Sequence, residues 1–453
     1  MMNKKNGFAK IQLGLFAGIL ATALVGCGVQ GTHTVAVTKL RFAALSGIDV
    51  NFKPVIAQWN AANPDIQIKI ETLPTTTPDI VKSLTASALA NNAPDLFNNL
   101  DTYADALADA GFSEDLVKWF GTGTYPLARK NFNQQFLSSY VPINQPKEVT
   151  GLPIAADATV VFYNKTLFTK AGVPFPKQGW TYDDYMSTCS KLSAWGANQK
   201  PQVWGNSAGP GGAGTSIWQA QYNPFLHAVG AYTYDRKTNT SAIGSPKAIA
   251  AFTQLLKPWQ NGCLPKYSIV SGKSAPTFQG GQIAMEVSVR ALLPTYRDGL
   301  KAKKMDWDVA DMPVVKGGVS PYIVGGGSYG LGMAATSKNK EAVWKFISWF
   351  YTTKVGGLNT LQASGSLVPP TDQGIKSGAW RSLAGPPFNV DVFARAINNA
   401  FIAPKLPGQS GTVLENAIKA AVQQVLLTNT PIATAFKSAE ATVTASIKKD
   451  LAK

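Results

Sequence analysis

Two glycine-flanked segments carry the patterns most often tied to catalysis. Gly205-Asn206-Ser207-Ala208-Gly209 fits G-x-S-x-G, the turn that presents a hydrolase serine. A serine nucleophile needs a general base, and the only histidines are His33 and His227. Such hydrolases run serine, acid, histidine, yet no Asp or Glu lies between Ser207 and His227. Overlapping it, Gly209-x-Gly211-x-x-Gly214 fits the dinucleotide fingerprint, but it follows no clear strand and meets no acid until Asp235. It reads instead as a loop feeding a helix. Gly272-Lys273-Ser274 has Tyr267 where a phosphate-binding loop needs its first glycine. Asp306, Asp308 and Asp311 imitate the start of a calcium loop, but Gly317 stands where the bidentate glutamate belongs. Neither histidine has metal-ligand spacing to a cysteine or the other histidine. Glycoside hydrolysis could be assigned to any two of 26 carboxylates, and spacing singles out none. The chain is therefore expected not to be an enzyme, with no metal and no cofactor.

The N-terminus carries chemistry of another kind. Lys4, Lys5 and Lys10 precede an apolar run, Ile11–Val25, that is shorter than the ~20 residues of a spanning helix. That is the anatomy of an export signal. It ends in Leu24-Val25-Gly26-Cys27, which resembles the bacterial lipobox, whose cysteine is lipid-modified and becomes the first mature residue. Residues 1–26 are thus read as a lipoprotein signal peptide and residues 27–38 as a tether anchored at Cys27. Two acyl chains give stable anchoring that one cannot. Cys189 and Cys263 remain; an oxidising compartment permits a bridge, and two separate core thiols fit equally well.

The elements that must position any site follow from periodicity. Leu40–Leu45 reads as a strand. Phe52, Val55, Ile56 and Trp59 form a helical stripe that stops before Pro64, and Ile66, Ile68 and Ile70 alternate as a half-buried strand. A second helix over Asp79–Asn92 leads to a third strand at Pro94–Phe97. Strand and helix in alternation predict right-handed crossovers and a parallel sheet. Ligands of such sheets bind at the carboxyl ends of the strands, which draws attention to Ser46-Gly47 and Asn98–Tyr103. Later come an extended stretch at Gly151–Asn164, a helix over Trp180–Trp195 introduced by Thr181, and a Gly-rich loop before a helix with Trp218, Tyr222 and Phe225. Tyr322–Ala335 is extended around Gly325-Gly326-Gly327, and the tail is helical, with a wide stripe from Val413 to Leu426.

Composition narrows the partners. The 453 residues are 45% hydrophobic and only 15% charged, against a typical ~25%, which suits an acidic medium where carboxylates neutralise. The net charge is +16, but the lysines are scattered and no basic stripe interleaves with aromatics, so no nucleic acid is expected. A solvated basic surface attracted to an anionic envelope fits better.

Four blocks resemble the extracellular solute-binding proteins of ABC importers, in the maltodextrin-binding-like branch that takes up sugars. The opening strand–helix–strand runs through Pro94-Asp95-Leu96 and Ala108-Asp109-Ala110-Gly111-Phe112. Gly151-Leu152-Pro153, Tyr163-Asn164-Lys165, Leu167–Val173 and Trp180 form the second block. Phe278-Gln279-Gly280-Gly281-Gln282-Ile283-Ala284-Met285 is the third, and Ser337–Ile347 after the Gly-rich strand the fourth. The resemblance implies an α/β fold of two lobes, each a mostly parallel sheet flanked by helices, joined at Pro153–Ala158 and Gly325–Ser328. One lobe would take residues 39–155 plus 329–355, the other 157–326 plus 358–453.

It implies a monomer that captures a mono- or oligosaccharide in the interlobe cleft and passes it to ABC permease subunits, held at the outer face of the membrane by its lipid. The positions that match give Asp101, Asp157, Trp218, Ser288, Gly326 and Ser328 as ligand-binding candidates beside Ser46. Arg290 stands where the family often has its Gly-Trp pair nearby, leaving room for an acidic group on the ligand. Trp380 is a further candidate from a stretch the resemblance does not reach. A phosphorylated or anionic solute, or a secreted glycoside-active enzyme, are the alternatives.

Overall fold

The computed structural model describes residues 36–452 apart from 75–76, 208–216, 218, 268–274, 321–324, 328, 353–355 and 384. The signal and tether through Cys27, and Trp218 and Ser328, lie outside the described residues.

The chain opens with β1 (Thr38–Ala44), α1 (Asp49–Ala62), β2 (Ile66–Thr72), α2 (Thr77–Leu89), β3 (Leu96–Leu100) and α3 (Ala104–Asp109). α1 ends at Asn63 because Pro64 disfavours helical geometry in the residue before it. β1 pairs in parallel with both β2 and β3, as the crossovers require. After α4 (Gln134–Leu137) and β4 (Leu152–Pro153), the chain crosses through β5 (Asp157–Ala158) into β6 (Val160–Tyr163).

The second half continues with α5 (Lys165–Ala171), α6 (Tyr182–Gly196), β7 (Trp204–Asn206), α7 (Gln219–Ala228), the ribbon β8 (Tyr234–Asp235) and β9 (Thr240–Ser241), and α8 (Pro246–Gln260). Helix starts follow local chemistry. Asn164 caps α5, Thr181 and Asp184 form a capping box on α6, and Ser245 caps α8 with Pro246 following. β10 (Ile283–Ser288), α9 (Leu293–Ala302) and β11 (Asp308–Ala310) complete the sheet β11-β6-β10-β7.

β12 (Gly325–Gly327) then leads back into β13 (Tyr329–Met333), which inserts between β3 and β4, antiparallel to both. α10 (Lys340–Phe350), α11 (Gly357–Ser364), α12 (Asp372–Ser377), α13 (Asp391–Asn398), β14 (Phe401–Ile402), α14 (Ser410–Leu427) and α15 (Ile432–Leu451) follow.

The result is a two-lobed α/β fold with two apolar cores. The first gathers β1–β4, β13 and α1 around Trp59, whose ring meets Phe346 at 5.2 Å and Trp349 at 5.1 Å. The second centres on Phe162, with Tyr296 at 4.9 Å and Trp307 at 6.0 Å, and takes in Leu414, Ile418, Phe436 and Ile447 from the tail helices. Two expectations need correction. Each sheet is mixed rather than mostly parallel, because strands that return across the junction enter from the opposite end. The division before residue 358 also shifts: Leu358, Leu361 and Leu367 pack in the first core, since α11 lies on α1.

Candidate functional site

The junction between the lobes is a small sheet of its own, β14-β12-β5, in which Gly326 pairs with Ile402 on one side and Ala158 on the other. A third strand of chain crosses beside it, where the Ala156 N–H donates to the Val368 carbonyl at 2.9 Å. Gly326 is thus an extended residue within a paired strand.

In the first lobe, Ser46 is exposed in the turn after β1, and Gly47 next to it has φ +90°, a conformation that favours glycine. Asp101 is half-buried in the turn after β3. Beneath it, the Asn98 carboxamide accepts from the Leu45 N–H at 2.9 Å, and Asn99 donates to the Thr150 carbonyl at 3.1 Å. Both turns are thereby fixed from below by neutral amides.

At the junction, Asp157, Arg290 and Trp380 come together. The Arg290 and Ala158 amides donate to Asp157 Oδ1 at 3.3 and 2.9 Å. Burial pushes the Asp157 carboxyl up to about 7, and these amides and the Arg290 charge hold it from rising further. Arg290 is 1% exposed. Its guanidinium lies against the Trp380 and Phe393 rings, 5.0 and 4.9 Å from their centroids, and donates to the carbonyls of Gly365 and Trp380. Burial lowers its pKa to about 10, the nearby Asp157 acting against that shift. Trp380 is buried as well, and its indole N–H donates to Ile375 at 3.1 Å. Arg290, a candidate for an acidic group on the ligand, is thus a buried clamp on the returning chain, as aromatic stacking and two backbone acceptors suit a desolvated guanidinium.

Ser288 is also buried, sharing a 2.7 Å hydrogen bond with the Tyr296 hydroxyl. Tyr296 donates to one oxygen of the buried Glu286, and Ser207 donates to the other at 2.8 Å. Ser207 faces a carboxylate instead of a histidine, and a Cβ on Gly205 would stand 2.2 Å from the Cys189 carbonyl oxygen. Cys189 and Cys263 are bonded to each other, with Cα atoms 5.6 Å apart, tying α6 to the end of α8.

Beside the hydroxyl network lies a small, partly open cavity lined by Tyr182, Tyr185, Asn206, Ser207, Phe225 and Trp259 among others. The buried Asn206 Oδ1 and Trp259 N–H have no hydrogen-bond partner among the described residues. Flat apolar rings beside a spare acceptor and a spare donor offer contacts that suit the edge of a hydroxylated molecule.

Sequence reasoning missed Glu286, this aromatic cavity, and Glu415. The last is half-buried on α14 and hydrogen-bonded to Thr77 at the start of α2. Burial, and secondarily the Asp101 charge, raise it to about 7. A lone acid in the apolar first turns of a helix was the available signal.

Residues 46–357 match the family model described as bacterial extracellular solute-binding protein. A binding protein of Brucella abortus is 26% identical over 352 residues, covering 76% of this chain and 77% of its own length. The maltotriose-binding protein of Pyrococcus abyssi is 23% identical over 388 residues, 83% of this chain and 74% of its own. Among solved structures, an ABC substrate-binding protein of Listeria monocytogenes in complex with cycloalternan superposes with a TM-score of 0.77 at 20% identity, covering 91% of this chain and 99% of that one. An ABC transporter solute-binding protein of Thermotoga lettingae bound with α-D-tagatose gives 0.74 at 17% identity, covering 90% and 100%. At these identities the structural likeness establishes the two-lobed periplasmic-binding-protein-like fold.

Proposed function

Because the chain belongs to the family of bacterial extracellular solute-binding proteins, we propose that it is the capture receptor of a sugar importer. It takes a mono- or oligosaccharide into the cleft between its lobes and delivers it to the permease of an ABC transporter. The observation that carries the sugar reading is the aromatic cavity of the second lobe, where rings stand beside an unpaired acceptor and an unpaired donor. Pyranose C–H faces pack on aromatic rings, and ring hydroxyls take hydrogen bonds from carboxylates and amides.

Ser46, Asp101, Asp157, Trp218, Gly326 and Ser328 are proposed to line the cleft. Ser288, Arg290 and Trp380 act from beneath it, by holding Glu286, the junction strand and the returning chain in place. The protein turns nothing over and works as a monomer. No helix among the described residues is long and apolar enough to cross a membrane. A diacylglyceryl group on Cys27 is proposed to retain the protein at the outer face, after loss of residues 1–26.

A thermal-shift screen of the mature protein against neutral sugars, amino sugars and sugar phosphates tests the ligand class. A ligand at 100 times its Kd stabilises by about 2.7 kcal/mol. Sugars that leave the melting temperature unmoved, with another solute class raising it, would remove the sugar reading. Intact mass of the membrane fraction tests the anchor: Cys27→Ala is expected to release the protein or leave the uncut precursor.

A further inference from the structure

Two of the large apolar side chains that the fold leaves in solvent meet at one end of the second sheet. Phe175 is 41% exposed and Phe388 65%. Both are held from inside. The Phe175 ring rests on Tyr163 at 5.7 Å and on Phe168 at 6.1 Å. The amides of Phe388 and Asn389 both donate to Oδ1 of the buried Asp308 at 3.0 Å. Tyr163 ends β6, Asp308 starts β11, and the two are register partners, so their side chains share one face of the sheet. The two exposed phenylalanines therefore flank one spot.

Lysines surround that spot. Lys165 opens α5, pairs with Asp306 at 2.9 Å and lies 5.9 Å from the centre of the Phe175 ring. Lys170 stands in the last turn of the same helix, and Lys177 follows Phe175 by two residues. Lys301 is in the last turn of α9, with Lys303 and Lys304 directly after it. The next residue, Met305, ties this end to α5, its sulfur accepting from the Asn164 amide at 3.2 Å. All of these lysines but Lys165 are exposed. Against them stand Asp306, already paired, and Asp298 on α9. Arg381 and Asp391, beyond Phe388, pair with each other at 2.9 Å. Asp183 and Asp184 start α6 beside Val314, past the other end of β11.

We propose that this end of the second lobe is a docking tip for an anionic phospholipid surface, with its lysines on the headgroups and Phe175 and Phe388 in the interface. Lysines gain from the negative surface potential, and aromatic rings gain by leaving water at headgroup level. A soluble polyanion would satisfy the lysines but leave both rings in water. A second copy of the chain would bring lysine against lysine. The contact is confined to one tip, which separates it from a general attraction of the basic chain to its envelope. It concerns where the receptor sits and stands apart from what it captures. The tether of residues 27–38 joins the first lobe, so the tip gives the second lobe a hold of its own.

Vesicle flotation tests this on the chain without residues 1–26, which keeps every described residue, with Cys27→Ser so that no acyl chain contributes. Vesicles of phosphatidylglycerol mixed with phosphatidylcholine should carry the protein at low salt and release it at high salt, while phosphatidylcholine alone carries little. Removing two tip charges in Lys303→Gln/Lys304→Gln should weaken partitioning about thirtyfold. Lys448→Gln/Lys449→Gln removes the same charge from the end of α15 and should change it by about threefold at most. Phe175→Ser and Phe388→Ser should each weaken it severalfold while the salt dependence stays. All these side chains are exposed, so the variants keep the fold, which melting curves check. Wild type that ignores the anionic vesicles, an equal loss in the Lys448 and Lys449 variant, or phenylalanine variants that partition as wild type does would each overturn the proposal.

Discussion

Beneath the strand ends of the first lobe the buried polar groups are neutral amides, Asn98 and Asn99, each tied to backbone. In the second lobe a carboxylate, Glu286, holds that kind of position, satisfied by the hydroxyls of Ser207 and Tyr296. The first lobe adds no covalent link, and its core is filled by packed aromatics and leucines. The second is bridged from Cys189 to Cys263 across 74 residues of sequence. An amide keeps its partners at any pH, whereas a buried carboxylate depends on every donor staying in place. The second lobe is thus the one that carries both the buried carboxylate and the disulfide.

Trp59→Ala should produce the largest loss, about 3–5 kcal/mol in urea unfolding, by emptying the centre of the first core. Reducing the Cys189–Cys263 bond should cost about 2–4 kcal/mol. Hydrogen exchange would sharpen the contrast: protection should fall in α6 and α8 while α1 and α10 keep theirs. A loss spread evenly over both lobes would break the comparison.

Next in size, Asn98→Ala and Glu286→Gln should each cost about 1–3 kcal/mol, since each leaves a buried partner unpaired. Only Asn98→Ala is expected to loosen the Ser46 turn.

The pH profile follows from Asp157, held near 7 when folded against 3.8 when free. Between those values the folded chain keeps a proton that the unfolded chain has released. The stability this proton provides is fully present below pH 3.8 and is lost as pH rises towards 7. Asp157→Asn should reduce that fall in melting temperature, leaving the part that comes from Glu415, which burial also raises to about 7. The smallest effect belongs to Arg41, whose half-exposed forked pair with Glu71 at 2.8 Å should contribute about 0–1 kcal/mol. Loss of several kcal/mol in Arg41→Ala would show this pair to count for more than surface ion pairs do.

Much of this was legible from period and punctuation. The isoleucines of β2 and the stripe of α1 alternate as their burial requires, and Thr181 marked the start of α6. The junction segments also fell where glycine and extended residues clustered, at β5 and β12. What could not be read was which distant elements meet. Arg290 finds its partners 75 and 90 residues away, and Glu415 finds Thr77 in the other lobe, so neither role has a local pattern. Pairing direction failed for the same reason: β13 is an ordinary glycine-rich run until its neighbours, β3 and β4, are known.

The insertion of β13 also bears on the order in which the chain can fold. Until β13 is in place, the first sheet lacks the strand between β3 and β4, and Trp59 lacks Phe346 and Trp349. The second core waits longer, for Phe436 and Ile447 near the end of the chain. Neither lobe can close its core on the first half of the chain alone. The interleaving that makes two lobes share three crossings leaves both cores to be completed by distant segments, and long-range pairing of this kind is slow by nature.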